Sequence, residues 1–328
     1  MIRGALVENL YILKFEKILV EKIWGGRALN NKLNIKLKDN KNYGESWEVA
    51  ANRNGNSKII NGIFAGRSLK DIIEEYKDKL VGKEVYNKFG TEFPIMAKYL
   101  DINDKLSVQV HPEDEYALRV EGEFGKTEAW YIIDADDKAK IILGVKDGTT
   151  KDEFIKKSKC GDFSSLEEVR VKKGDLIFIK PGTIHATLEG SVLIYEIQQN
   201  SDTTYRIYDF DRIENGKKRE LHLDKAYEVI DFNSKVTPKS NFEKYKKYDA
   251  EVEKIVSCEY FTTEKLNING YYNDEYYESF RIYSCVEGEF EVESVNDKIS
   301  FIAGESILVP AEQAVEFRGK GQIFKSFV

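Results

Sequence analysis

The chain has 328 residues, 41% hydrophobic and 33% charged, which suffices for two domains, each with its own core. Its 57 acidic and 50 basic side chains leave a formal charge of −7 and are mixed along the sequence, which excludes a surface that holds nucleic acid by counterion release. Three cysteines lack metal-finger or disulfide spacing, Glu8 and Lys14 interrupt what would be the apolar core of a signal peptide, and no window approaches the ~20 apolar residues that cross a bilayer. The expectation is a cytoplasmic protein with reduced thiols and no membrane partner.

Residues 10–66 read as short strands separated by polar turns, with two glycine-bearing patches, K-I-W-G-G-R-A-L (Lys22 to Leu29) and G-E-S-W-E-V-A (Gly44 to Ala50). The Gly-Gly pair predicts a turn, with an anion cradle as the alternative. Ser46 and Glu48 alternate with Trp47, which gives either a strand with two inward polar groups or, as the plainer reading, a solvated strand edge. From Ser68 the period becomes helical: a Ser68–Asp71 capping arrangement opens a run in which Leu69, Ile72, Ile73, Tyr76 and Leu80 share a face, predicting helix over about 68–90.

The stretch from Lys105 to Tyr131 carries the chemistry. Ser107, Gln109 and His111 lie two apart, so a strand puts all three on one face, and Pro112 ends it. A short helix is predicted over 113–120. The next strand-like run places Lys126 and Glu128 together by the same alternation. A capping box at Thr150–Glu153 predicts a helix over 150–158. Beyond it, D-L-I-F-I-K-P-G-T-I-H carries an apolar strand through a Pro181-Gly182 turn to His185 at a hairpin rim.

The sequence contains three histidines. His222 lies ahead of a predicted helix, 224–232, and reads as a surface or packing residue. His111 and His185 sit at strand ends beside inward polar groups. With Gln109 and Glu128 they offer two imidazoles, a carboxylate and an amide oxygen, a set that suits zinc and also iron or manganese. The plainer alternative is a pair of satisfied core histidines.

In Tyr195 to Arg212 two strands rich in carboxylate, amide, guanidinium and phenol are too polar for a packed interior, so they line a cavity, with Arg206 as a fixed positive charge. The domain expectation is a catalytic unit over 1–235, a lysine-rich linker over 236–256 and a second strand-rich unit over 257–328. In that last unit, Phe301 to Phe317 echoes Val171 to His185, but the position matching His185 holds Ala314 or a neighbour. A structural unit without a metal of its own is expected there.

Taken together, F-P-I-M-A-K-Y-L-D-I-N-D-K-L-S-V-Q-V-H-P (Phe93 to Pro112), G-K-T-E-A-W-Y, P-G-T-I-H-A and E-I-Q-Q-N-S-D-T-T-Y-R-I-Y-D-F-D-R resemble the type I mannose-6-phosphate isomerases, zinc-dependent cupin enzymes, in their short bacterial form. The resemblance implies a mainly β fold: two cupin-like antiparallel barrels or sandwiches, with a few helices packed on the first. It implies one Zn2+ per chain on Gln109, His111, Glu128 and His185. Arg206 falls on the family's active-site arginine, and Ser107, Lys126, Glu196 and Asp202 fall on pocket positions.

The expected reaction interconverts mannose 6-phosphate and fructose 6-phosphate through a metal-stabilised enediol. Arg206, Lys126, Glu196 and Asp202 are the catalytic candidates, and Ser107, Lys126 and Arg206 the candidate contacts to substrate. The general base stays open among Glu196, Asp202, Lys126 and a metal-bound water. Competing readings are another metal-dependent cupin enzyme, such as a sugar-phosphate epimerase or an oxygenase, and a non-catalytic sugar-phosphate sensor. The partner is a small phosphorylated sugar in each isomerase or sensor reading, and the oligomeric state is left open.

Overall fold

A computed structural model describes residues 10–214, 216–275 and 277–328. The chain forms two compact units whose segments alternate in sequence. One comprises Lys17–Gly55 and Ile95–Phe242; the other comprises Asn56–Pro94, Glu243–Val328 and the described residues up to Glu16. The structure is mainly β with antiparallel sheets throughout. Among the described residues no helix is long and apolar enough to cross a membrane.

In the unit that holds Ile95–Phe242, two sheets face each other. The six-stranded sheet runs in the order Leu176–Ile179, Glu128–Ala135, Val192–Gln199, Ile95–Ile102, Ile18–Gly26, Tyr43–Val49; the five-stranded sheet runs Leu166–Arg170, Lys140–Val145, His185–Glu189, Val108–Val110, Tyr205–Tyr208. Their inner faces share a core that includes Leu100, Ile102, Trp130, Ile132, Ile194, Ile141 and Leu143. Side chains two apart on a strand share a face, so this core fixes which neighbours also point inward. Along the same inward rows, Ile102 and Leu100 give way to Lys98, Ile132 and Trp130 to Glu128, and Val192 and Ile194 to Glu196. Each strand is apolar at one end of the sandwich and charged at the other, so burial of the first end carries the second into the interior with it.

The glycine pair of K-I-W-G-G lies inside the Ile18–Gly26 strand, not in a turn. A Cβ on Gly25 would come within 2.6 Å of the backbone of Tyr43 and Gly44. Close approach of two strands where their register shifts explains the residue better than turn formation does. Ser46 and Glu48 are likewise not a solvated edge. Both are buried, Ser46 Oγ donates to Glu48 Oε1 at 2.7 Å, and Lys17 pairs with Glu48 at 2.5 Å.

The other unit is built on one sheet that includes the long strands Thr262–Asp274, Arg281–Ser294 and Val315–Phe327, packed over a core that includes Leu266, Tyr283, Phe290, Phe301 and Phe317. Of residues 236–256, expected as a linker, those from Glu243 onward instead enter this sheet: Glu243–Lys247 pairs with Ala250–Ser257, which pairs with Thr262–Asp274. The lysines that suggested a linker occupy the outermost strand, where charged side chains protect a free edge.

The capping box at Ser68 is formed in both directions, Asp71 N donating to Ser68 Oγ at 3.2 Å and Ser68 N to the Asp71 carboxylate at 2.9 Å. The helix predicted over 68–90 is three helices, Leu69–Tyr76, Asp78–Val81 and Lys83–Phe89, broken at Lys77 and Gly82, whose φ values are +50° and +95°. Any Cβ at Gly82 would fall 2.1 Å from the Glu278 carbonyl oxygen, so glycine there permits both the break and the contact. These helices group with 243–328, not with the unit that carries Ile95–Phe242. The remaining predicted helices form as Asp114–Val120, Lys151–Lys159 and Leu223–Val229.

Candidate metal centre and substrate cleft

Register across the five-stranded sheet aligns His185 with Gln109 and Gln109 with Arg206. Directly paired residues of adjacent strands project to the same side, so these three form a row. Glu128 enters from the opposite sheet, and His111 comes two residues after Gln109 along its strand. His111, Glu128 and His185 come together with one ligand atom from each within 4.8 Å of the others. All three are at most 1% exposed.

Hydrogen bonding fixes which ring nitrogen is free. His111 Nδ1–H donates to the Thr203 carbonyl at 2.9 Å, and His185 Nδ1–H donates to the Thr183 carbonyl at 3.0 Å. Each Nε2 therefore carries a lone pair, and both lone pairs face the Glu128 carboxylate, at 3.6 Å from His111 and 3.1 Å from His185. Acceptors aimed at acceptors in a buried space lack a proton between them. His111 Nε2 and Glu128 Oε1 have no hydrogen-bond donor, and Glu128 Oε2 faces only the Lys126 ammonium at 3.1 Å, a deficit that a cation removes. Burial, with Lys126 nearby, holds the His111 imidazole well below its usual range, and so neutral. Burial would push Glu128 up, yet the Lys126 ammonium 3.1 Å away and the two rings keep it well below the usual carboxylate range. The Gln109 amide reaches the same centre, its Nε2 lying 3.1 Å from His185 Nε2.

A cleft of about 240 Å³ opens over this centre. Ser107, Gln109, Lys126, Glu128, Glu196, Asp202 and Arg206, all singled out from sequence, line it together. Asp202 stands at the exposed rim, where its carboxylate accepts from Asn54 Nδ2 at 2.8 Å. A wider groove of about 750 Å³ over Leu176, Phe178 and residues 233–241 contains no histidine and no buried carboxylate.

Sequence reasoning missed Lys22, Trp24, Glu45, Lys98 and Arg219, which also line the cleft. Lys98 had a readable signal: it stands in phase with Met96 and Leu100 on a strand buried along its whole length. The missed groups complete a ladder of alternating charge that runs inward from the rim. Lys22 lies 2.9 Å from Glu45, Lys98 4.0 Å from Glu45 and 3.4 Å from Glu196, and Lys126 4.0 Å from Glu196 and 3.1 Å from Glu128. Burial works to raise Glu45, but Lys98 and Lys22 outweigh it and bring the carboxyl down to about 2. Burial works to lower Lys98, and Glu196 and Glu45 together hold it above its ordinary value. Glu196 is pushed up to about 8 by burial, with the Glu128 carboxylate adding to the rise and Lys98 opposing it.

Arg206 donates from Nη1 to the Glu220 carbonyl at 2.8 Å. Its buried Nε has no partner. Burial and the neighbouring Arg219 guanidinium lower it from the usual arginine value. His222, read as a packing residue, packs behind this strand: its Nδ1 accepts from Arg206 N at 3.2 Å.

The model of the phosphomannose isomerase type I catalytic domain matches residues 12–154, and that of the mannose-6-phosphate isomerase cupin domain matches residues 251–328. Mannose-6-phosphate isomerase ManA of Bacillus subtilis is 38% identical over 301 residues, covering 91% of this chain and 92% of its own length. Mannose-6-phosphate isomerase of Streptococcus mutans is 35% identical over 292 residues, covering 88% and 89%. The crystal structure of mannose 6-phosphate isomerase from Bacillus subtilis superposes with a TM-score of 0.88 at 32% identity, over 97% of this chain and 100% of that one. With both domain models matched and curated relatives aligned along nearly their full lengths, the chain belongs to the type I phosphomannose isomerase family.

Proposed function

We propose that the protein is a mannose-6-phosphate isomerase, interconverting mannose 6-phosphate and fructose 6-phosphate, and that its centre holds one zinc ion on Gln109, His111, Glu128 and His185. The reading rests on the two Nδ1-tethered imidazoles, whose free Nε2 atoms both turn on one buried carboxylate with no proton between them. Two histidines, one carboxylate and an amide oxygen fit zinc and leave a position for substrate. The Gln109 amide contributes its oxygen after a half-turn that leaves its shape unchanged. A divalent ion held there would supply Lewis-acid polarisation of the open sugar's oxygens and so would acidify the proton on C2.

The protein's own groups do the rest. Glu196 is buried, with an unpartnered Oε1 and two ammonium groups within 4.0 Å, and it is the group assigned to carry the proton between C2 and C1. Asp202, held at the exposed rim by Asn54, is assigned a contact to the sugar chain and not that proton. Lys126 and Lys98 donate hydrogen bonds to substrate oxygens beside Glu196, and Ser107 adds a hydroxyl on the Gln109 face. Arg206, one strand from Gln109, faces the negative charge that develops on the enediol. A site of this kind needs a phosphorylated sugar as its small-molecule partner, and the three free cysteines agree with a reducing, cytoplasmic setting.

Elemental analysis coupled to a fructose 6-phosphate assay tests the reading. Near one zinc per chain, with turnover lost on chelation and restored by zinc, is the expected result; full turnover in metal-free protein overturns it. His111→Ala loses both metal and turnover, whereas Arg206→Ala keeps its metal and loses turnover.

A further inference from the structure

The two imidazoles of the centre are tethered in different ways. His185 donates from Nδ1 to the Thr183 carbonyl, two residues back in its own turn, so the hairpin that carries the ring also sets it. His111 donates to the Thr203 carbonyl, 92 residues away, in a stretch, 201–204, that is neither helix nor strand. Side-chain bonds must therefore place that carbonyl. Gln198 Nε2 donates to the Ser201 carbonyl at 2.6 Å, Asn200 Nδ2 to the Ala51 carbonyl at 2.8 Å, and Thr203 N to Ser201 Oγ at 3.3 Å. The set ends on one carboxylate. Glu123 Oε2 accepts from Ser201 Oγ and from Asp202 N, each at 3.2 Å, and its Oε1 faces the Arg53 guanidinium. Glu123 is not among the residues that line the cleft, so contact with substrate does not explain it.

An ionised carboxylate only accepts hydrogen bonds. Ser201 therefore turns its O–H toward Glu123, which leaves a lone pair for the Thr203 amide, and the residue so fixed presents its carbonyl to His111. Building on the metal-centre reading, we infer that Glu123 is a positioning residue for the metal, acting through Ser201 and Thr203 on the tautomer and tilt of the His111 ring. Ser201 is fully buried, and Thr203 and His111 are at most 7% exposed, so a bond lost at these steps is not replaced by bulk water. With its Nδ1–H held on a carbonyl, His111 keeps the lone pair of Nε2 on the side of Glu128. Released from that hold, the ring is free to exchange tautomers and to turn, and each departure weakens its grip on a cation. His185, with its tether in its own turn, does not depend on Glu123.

The test measures zinc affinity, by competition with a chromophoric chelator, in the parent, Glu123→Ala, Ser201→Ala, their double variant and Glu123→Gln. Loss of an outer partner of a ligating imidazole weakens metal binding roughly 10- to 100-fold, and Glu123 lies further out along the run, so about 10-fold is expected for Glu123→Ala. Ser201→Ala matches it, the double variant loses little more because both changes cut one run, and Glu123→Gln, which keeps an acceptor, falls between alanine and the parent. Metal-free protein gives a second readout. With three histidines in the chain, isotope-labelled imidazoles are resolved one by one by NMR. Glu123→Ala takes His111 from the Nδ1–H form to a mixture of tautomers and leaves His185 as in the parent. Zinc affinity within twofold of the parent overturns the inference, as do losses that simply add in the double variant, or an equal disturbance of both rings, which reports general loosening. Should the parent bind no zinc, the metal reading falls separately, and an unchanged His111 tautomer in Glu123→Ala then overturns this one.

Discussion

Replacing Lys98 with methionine tests whether the charge ladder is a structural necessity. Methionine approximates the length of lysine and removes only the ammonium. Lys98 Nζ lies 3.4 Å from Glu196 Oε1 and 4.0 Å from Glu45 Oε2, and all three side chains are at most 10% exposed. The melts are taken above about pH 8, where Glu196 is ionised; at an effective dielectric of about 20, a pair 3.4 Å apart then gains ~5 kcal/mol of gross attraction. Breaking a buried pair from one side costs about 3–5 kcal/mol. Lys126, 4.0 Å from the same Glu196 oxygen, takes up part of the loss, so about 3 kcal/mol is expected. At ~2–4 °C per kcal/mol for a unit of this size, the melting temperature falls by roughly 6–12 °C. The assay is thermal melting of zinc-loaded parent, Lys98→Met, Glu196→Gln and the double variant. In the double variant the uncompensated carboxylate is gone, so most of the loss returns, giving a coupling of at least ~1 kcal/mol. If Lys98→Met melts within about 2 °C of the parent, or the two losses simply add, the ladder does not hold the interior together.

Two further outcomes come from buried groups away from the cleft. Asp101 accepts from Leu29 N at 3.0 Å, and burial raises its carboxyl to about 6. The folded protein therefore binds the extra proton between about pH 4 and 6, so stability declines as pH rises through that window, by about 3 kcal/mol at most. Asp101→Asn, which keeps an acceptor for Leu29, flattens that slope in denaturant melts taken across roughly pH 4–7; an unchanged slope contradicts the assignment. Gly25→Ala forces a Cβ to within 2.6 Å of the backbone of Tyr43 and Gly44. About 2 kcal/mol is lost as the strands part, read as a lower urea midpoint, and an unchanged midpoint would mean that the strands yield freely.

The residues that converge at the candidate metal centre were legible because each carries its own punctuation. Gln109 and His111 alternate with valines up to Pro112, Lys126 and Glu128 repeat the step, and a sequence with three histidines leaves few choices. The charged wall was harder to read because phase along an unbroken buried strand is ambiguous. In G-E-S-W-E-V, all buried, Ser46 and Glu48 read as the polar pair, whereas Glu45 is the one in the cleft. A one-residue error in phase exchanges the two faces. Lys98 stands in an apolar run, and its partner Glu196 is distant in sequence and opposite only in the sheet. Arg219 depends on a chain reversal that leaves no hydrophobic period to count. The strands at 243–257 were hidden by their own edge: lysines that repel a neighbouring sheet are the same lysines that suggest a tether.

The interleaving of segments bears on how the polypeptide comes to fold as it is made. Residues 56–94 leave the ribosome early, with Leu69, Ile72 and Ile73 on one helical face, but apart from Leu13–Lys14 the sheet that shares their unit is made only from Glu243 onward. During synthesis of the whole intervening stretch that greasy face has no partner, the interval in which a chaperone or a neighbouring nascent chain finds it first. A chain halted after Phe242 would thus possess every residue of the metal centre and still be burdened by an orphaned amphipathic segment.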